Sequence, residues 1–131
     1  MPSERLIVDG MNVLGSRPDG WWRDRPAAME RLTRRLDALV EREDLELTVV
    51  FDGNEHARVS RAADRVAVRF APGGRDAADR EIVRMIRADG EPGSITAVTS
   101  DRRLRASIKA AGAASVPAGE LLRRLAGSED E

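Results

Sequence analysis

Five aspartates stand where chemistry can be built. Three short apolar runs end in one: Leu6-Ile7-Val8-Asp9, Val49-Val50-Phe51-Asp52 and Ala97-Val98-Thr99-Ser100-Asp101. Asp9 is followed by Gly10-Met11-Asn12 and Asp52 by Gly53. The other two, Asp76 and Asp79, are three apart, a spacing that puts both on one face of a helix. Carboxylates gathered in one crevice repel each other, so some take up protons or a cation sits among them. Oxygen ligands select hard cations such as Mg²⁺ or Mn²⁺. That arrangement suits phosphodiester hydrolysis, in which the metal activates water and neutralises charge on the reacting phosphate. On this reading Asp9, Asp79 and Asp101 hold the metal directly or through water, as one ion or two. Asp76 is a further ligand or an orienting base, and Asn12 orients a ligand or the substrate.

Each acid also has an ordinary explanation. Asp52-Gly53 is a common turn pair. Asp76 and Asp79 suit a helix N-terminus, where they answer the macrodipole, and Asp101 suits an N-cap. Asp9 stands apart because it directly follows a buried run in a central strand. The inference rests on joint placement, and that requires the elements.

The first strand covers roughly residues 5–9, with Gly10 letting the chain turn and something approach closely. Residues 10–24 read as a loop rich in Gly, Pro and Asp. Asp24-Arg25-Pro26 opens a helix to about Glu43, with Met29, Leu32, Leu36, Leu39 and Val40 at helical spacing. A second strand spans 45–51. Residues 54–64 stay open between helix and loop. Val66, Val68 and Phe70 alternate as a third strand, and a second helix starts near Asp76 and ends at Asp89-Gly90. A fourth strand at 95–99, a helix at 102–111, a short strand at 113–116 and a final helix from Pro117 through Leu125 complete the chain. Strands alternating with helices predict a three-layer α-β-α sandwich on a mainly parallel sheet of about five strands. Ligands of such sheets bind beyond the carboxyl ends of the strands. Asp9, Asp52 and Asp101 all fall there, and so does the first turn of the helix carrying Asp76 and Asp79.

The 131 residues predict one domain over 1–126, followed by a disordered acidic tail at 127–131. Charged residues make up 34% of the chain but nearly balance at a net −1, which argues against nonspecific coating of nucleic acid and leaves room for local patches. Without cysteine there is neither a disulfide framework nor a thiolate metal site. Met1-Pro2-Ser3-Glu4-Arg5 has no signal-peptide pattern and no apolar run reaches membrane-spanning length, so the expected location is the cytoplasm.

The assembled residues resemble the NYN-domain, YacP-like branch of the PIN-like ribonuclease superfamily. The matching pieces are Ile7-Val8-Asp9-Gly10-Met11-Asn12-Val13, Val50-Phe51-Asp52-Gly53, Asp76-Ala77-Ala78-Asp79-Arg80-Glu81-Ile82-Val83 and Val98-Thr99-Ser100-Asp101-Arg102. They occur in family order with family-like spacing and span most of the chain. The resemblance implies a parallel sheet with flanking helices, a divalent metal held by acids, and endonucleolytic cleavage of RNA. It also suggests a ribosome or RNA-processing context. Asp9, Asn12, Asp79 and Asp101 fall on the family's acidic-site positions. One departure stands out. Many relatives carry paired acids in the second-helix motif, whereas here Asp79 lies between Ala78 and Arg80, and Asp76 is the residue placed to compensate.

Around these acids, Trp21 and Trp22 lie in the loop after the first strand, on the expected rim, where bases of single-stranded RNA stack. The alternative is that they anchor the loop on the core. Arg23 and Arg25 are placed to hold phosphates. Arg102, Arg103 and Arg105 open a helix beside Asp101; Arg102 is the best placed for phosphate, and the other two suit a solvated face. Arg58, Arg61, Arg65 and Arg69 are candidates for a groove wall, and His56, the only histidine, suits a loop better than a general base.

Other uses of such acids fit less well. A haloacid-dehalogenase-type phosphatase needs an aspartate where Met11 stands, and a receiver-like domain needs a late-strand lysine, whereas Lys109 falls in a helix. Neither a Walker-type loop nor Gly-x-Gly-x-x-Gly is present. The competing reading from another class is a PIN-like RNA- or ribosome-binding module with little or no cleavage activity, in keeping with the unpaired Asp79.

Overall fold

The structure, a computed structural model, describes residues 4–129. Five strands, β1 (Glu4–Asp9), β2 (Leu45–Asp52), β3 (Ala67–Ala71), β4 (Ile95–Val98) and β5 (Ala114–Val116), form one sheet in the order β3-β2-β1-β4-β5. Every pairing is parallel, with Val8 opposite Val49 on one side and Val98 on the other. Six α-helices flank it: α1 (Gly10–Gly15), α2 (Arg25–Arg42), α3 (Ala57–Ala62), α4 (Ala77–Ala88), α5 (Arg102–Ala110) and α6 (Ala118–Glu129). The α/β sandwich and mainly parallel sheet expected from the alternation are therefore what the chain forms.

Alternation along the strands sorts the helices into two layers. Leu6 and Val8 of β1 and Leu45, Leu47, Val49 and Phe51 of β2 pack with residues of α1, α2, α3 and α6. Ile7 and Val50 point to the other face, against Ile82 and Ile86 of α4 and Leu104 and Ile108 of α5. Burial on both faces is why β1 reads as a continuous apolar run. The chain lays β2 and β3 to one side of β1, then crosses to place β4 and β5 on the other. The crevice where the order reverses, beyond the ends of β1 and β4, is where such sheets bind ligands.

Two segments differ from expectation, and a third that the sequence left open takes a definite form. Residues 10–24 are not a plain loop. Helix α1 starts directly after Asp9 and buries Val13 and Leu14, and Trp21–Arg23 make a 3-10 turn. Six residues are too few for a helical period to register. The open segment 54–64 contains α3, held by the fully buried Val59. Asp37 of α2 accepts the backbone N–H groups of Asp64, Arg65 and Val66 at 2.9, 2.6 and 3.0 Å, which fixes the entry into β3. Helix α6 continues past Leu125 to Glu129, so part of the expected tail is helical, and residues 130 and 131 lie outside the described residues. No helix among the described residues is long and apolar enough to cross a membrane.

Gly10 is set by a close approach rather than by a turn. A Cβ there would lie 2.5 Å from two carbons of the Phe51 ring, and no positive φ is involved. Only a residue without a side chain lets α1 leave β1 so tightly against β2.

Candidate active site

β1 delivers Asp9 to the switch-point crevice with only 5% of its surface exposed. The Thr99 hydroxyl donates to Asp9 Oδ2 at 2.9 Å, and the Asn12 N–H donates to Oδ1 over a long 3.5 Å. Thr99 Oγ1 in turn accepts the Asp101 N–H at 3.2 Å. Asn12 Oδ1 accepts the Ser100 N–H at 2.8 Å, and Ser100 Oγ accepts the Ala118 N–H at 3.0 Å. The Thr99-Ser100-Asp101 turn is thereby tied to β1, α1 and α6 through side chains. Asn12, expected to orient a ligand or the substrate, commits its carbonyl oxygen to holding this turn.

Asp101 is the N-cap of α5, its Oδ1 accepting the Leu104 N–H at 2.9 Å. Capping does not remove it from the crevice. Asp101 lines a cleft of about 400 Å³ between α4 and α5, together with Asp76, Asp79, Arg80, Arg103 and Ser107. The cap uses one carboxylate oxygen and holds the group at the cleft wall.

The wall contributed by α4 has an unusual start. Asp76 occupies the N-cap position but its side chain makes no capping bond, and its φ of 65° makes it the one non-glycine residue in the left-handed region among the described residues. Such conformations cost free energy and persist where surrounding structure enforces them. The capping bond comes instead from Asp52 at the end of β2, whose Oδ1 accepts the Ala78 N–H at 2.9 Å. Asp52 is thus not a simple turn residue and does not line the α4–α5 cleft; it fixes the start of α4.

Charge links these acids. Burial, first, pushes the Asp9 carboxyl up to about 6, and the nearby charges of Asp79 and Asp52 add to this against the opposing bonds from Thr99 and Asn12. Asp79 is raised too, by burial first and then by Asp101, Asp76 and Asp52, with Arg103 opposing. The neighbouring carboxylate charges that add to both shifts also favour a cation. Among the described residues, however, no three His, Cys, Asp or Glu side chains are gathered closely enough to hold one ion. The donor set fits a hard cation that keeps several waters and takes one or two protein carboxylates, which is the habit of Mg²⁺.

Some cleft residues lie beyond the aspartates. Arg103 faces the acids, while Arg102, the arginine favoured for phosphate, is exposed at the first position of α5 and does not line the cleft. The helical wheel contains the signal: with Leu104 and Ile108 inward, Arg103 and Ser107 flank the buried stripe together. Arg105 is held by Ser115 Oγ at 2.9 Å. Arg80, next to Asp79, folds back on the preceding turn, donating to the carbonyls of Gly73 and Arg75, both at 3.4 Å. The groove expected from Arg58 and Arg69 is not available to a ligand in that form, since they pair with Glu30 at 2.6 Å and Glu81 at 2.8 Å.

At the rim, Trp21 packs partly against the core while Trp22 is 56% exposed. The two rings meet edge to face, and the guanidinium groups of Arg23 and Arg25 lie 5.8 Å from the centres of Trp22 and Trp21 respectively. One tryptophan anchors the loop and the other presents a ring to solvent.

The YacP-like NYN domain model matches residues 6–131. Rae1 (YacP) from Bacillus subtilis shares the fold with a TM-score of 0.80 at 26% identity, over 95% of this chain and 75% of that one. A single-substitution mutant of the same protein superposes with a TM-score of 0.74 at 26% identity, over 96% of this chain and 76% of that one. No curated protein matches the chain.

Proposed function

Because the chain belongs to the YacP-like NYN domain family, we propose that it is a divalent-metal-dependent endoribonuclease acting in the cytoplasm, with the acidic cleft at the end of the sheet as its active site. The observation that carries this reading is the meeting of Asp76 and Asp79 at the start of α4 with Asp101 at the start of α5 on one cleft, while Asp9 at the end of β1 feels the charge of Asp79, and Asp9 and Asp79 are both raised by burial and by neighbouring charge.

Asp79 and Asp101 would hold the cation from the two walls of the cleft, with Asp9 behind Asp79. The bound cation, Mg²⁺ or Mn²⁺, supplies an activated water and neutralises phosphate charge. The remaining work falls to the chain. Arg103 offers a positive charge to the scissile phosphate across from Asp79. Asp76, released from capping, is positioned to orient the attacking water. Thr99, Asn12 and Ser100 lock the turn that carries Asp101. Trp22 offers a face for a base and Arg23 a charge for the backbone.

Purified protein incubated with single-stranded and structured RNA in Mg²⁺, Mn²⁺ or EDTA tests this, beside an Asp79→Asn variant. Cleavage is expected with metal and wild-type protein only. Cutting that survives EDTA, or survives in the variant, would overturn the assignment. A second reading, an RNA- or ribosome-binding module without cleavage, is favoured by two observations: the lack of a three-carboxylate cluster among the described residues and the use of Arg80 as a loop brace. Binding without cutting in any metal selects it.

A further inference from the structure

A second cleft opens on the same edge of the sheet. It encloses about 470 Å³ between the start of α2, the β2–α3 connection and the β3–α4 connection, and is lined by Arg25, Met29, Asp52, Asn54, His56 and Arg75 among others. It adjoins the acidic cleft through the β3–α4 connection, because Arg75 lines one and its neighbour Asp76 lines the other. The bond from Asp52 to Ala78 joins the two from beneath.

Several arginines away from this cleft are engaged by acids. At the opposite edge, Arg5 pairs with Asp89 and Glu46, and Arg124 with Glu4 and Glu43. On the flanks, Arg58 and Arg69 pair with Glu30 and Glu81. Arg25 and Arg75 have no carboxylate partner among the described residues. Arg25 is steadied instead over the Trp21 ring. Asp52 is the single carboxylate among the lining residues, and one of its oxygens is committed to α4. Gly53 and Gly74 line the floor with open space where side chains would stand, leaving backbone exposed to a ligand.

We infer that this cleft is a subsite for the phosphodiester backbone of single-stranded RNA, in which Arg25 and Arg75 hold phosphates of the strand whose scissile bond lies in the acidic cleft. The inference rests on the RNA reading above and adds a direction to it: the strand crosses the sheet edge from the α4–α5 cleft toward the start of α2. Asn54 and His56 line the cleft where a base would lie, and each has a side chain able to hydrogen-bond a base edge.

The test uses a fluorescently labelled single-stranded RNA of roughly ten nucleotides, 2′-O-methylated so that binding is read without cutting. Wild type, Arg25→Gln/Arg75→Gln and Arg84→Gln are titrated over a range of salt concentrations. Arg84 lies off this edge, paired with Glu81, and removes one charge without touching the cleft. The double variant is expected to bind roughly tenfold more weakly, with a salt slope shallower by about 1.4 for two lost phosphate contacts on a single strand. Arg84→Gln is expected to match wild type. Arg75→Gln alone, an exposed loop change, is expected to give about half the slope change, which keeps the question open to test even if the double variant folds poorly. Unchanged affinity and slope in both Arg75 variants would overturn the subsite, as would an equal loss in Arg84→Gln. Cleavage of unmodified RNA by the same samples in Mg²⁺ is scored separately. Arginine-dependent binding without any cleavage removes the nuclease assignment and keeps the subsite; cleavage with no arginine dependence does the reverse.

Discussion

Asp52 Oδ1 accepts the Ala78 N–H across 2.9 Å, so the end of β2 caps the helix that carries Asp79. The residue in the N-cap position, Asp76, is left with its carboxylate in the cleft. Removing the acceptor by Asp52→Ala should cost about 1 kcal/mol, the usual value of a cap, and should also weaken divalent-cation binding as α4 shifts. Asp52→Asn keeps an acceptor and should retain most of the stability. Denaturant midpoints and cation titrations on both variants check this, and equal losses in the two would show that charge rather than the capping bond matters.

Asp76 is held at a φ of 65°, a region that L-residues avoid and glycine tolerates. Asp76→Gly should therefore leave stability unchanged or raise it by up to about 1 kcal/mol. The same change removes a carboxylate from the cleft and should lower RNA cleavage. Stability and activity moving in opposite directions is the expected outcome, read by thermal unfolding and by the cleavage assay. Asp76→Val, β-branched and strained at this φ, should destabilise.

What could be read from the chain, and what could not, follows from the range of each interaction. Asp9 was legible because a run buried on both faces ended in an acid, and burial is written in local composition. The alternation of elements was legible for the same reason, down to the helical stripe of Leu104 and Ile108. The capping of α4 by Asp52 was not, since the bond joins positions 26 apart with no sequence period between them. Nor was the task of Asn12, whose partner Ser100 lies 88 residues away. Adjacency to Asp101 points to Arg102, whereas the side on which α4 packs, which brings Arg103 to the cleft, leaves no mark in the sequence. Helix α1 escaped because its buried apolar side chains, Val13 and Leu14, are too few to show a period.

Gly10 and Phe51 give a sharp packing test. A Cβ at position 10 would meet the ring at 2.5 Å, and Phe51 is fully buried. Gly10→Ala should destabilise by about 1–3 kcal/mol, the range for forcing extra volume into a packed core. Phe51→Leu alone should also destabilise, by leaving a void. Combined, the two should cost clearly less than their sum, because the smaller side chain makes room for the methyl group. A double-mutant cycle by urea unfolding measures this, and strict additivity would place the strain elsewhere.

Burial raises Asp9 from its ordinary 3.8 to about 6. Between those values the folded protein holds a proton that the unfolded chain has released, so in chelator this group's contribution to stability falls as pH rises from about 4 to about 6 and is constant above. Its size at neutral pH is at most about 3 kcal/mol of destabilisation, from 1.36 kcal/mol per unit. Asp79 is shifted the same way. Asp37 acts in the opposite sense: the three N–H groups it accepts hold its carboxyl low, so its contribution is lost as pH falls through the acid range. The decisive measurement is therefore a difference. Asp9→Asn should unfold at higher denaturant than wild type at pH 7, and the gap should close toward pH 4. A gap that is absent at pH 7, or independent of pH, would mean that the Thr99 and Asn12 bonds fully offset the burial of the charge.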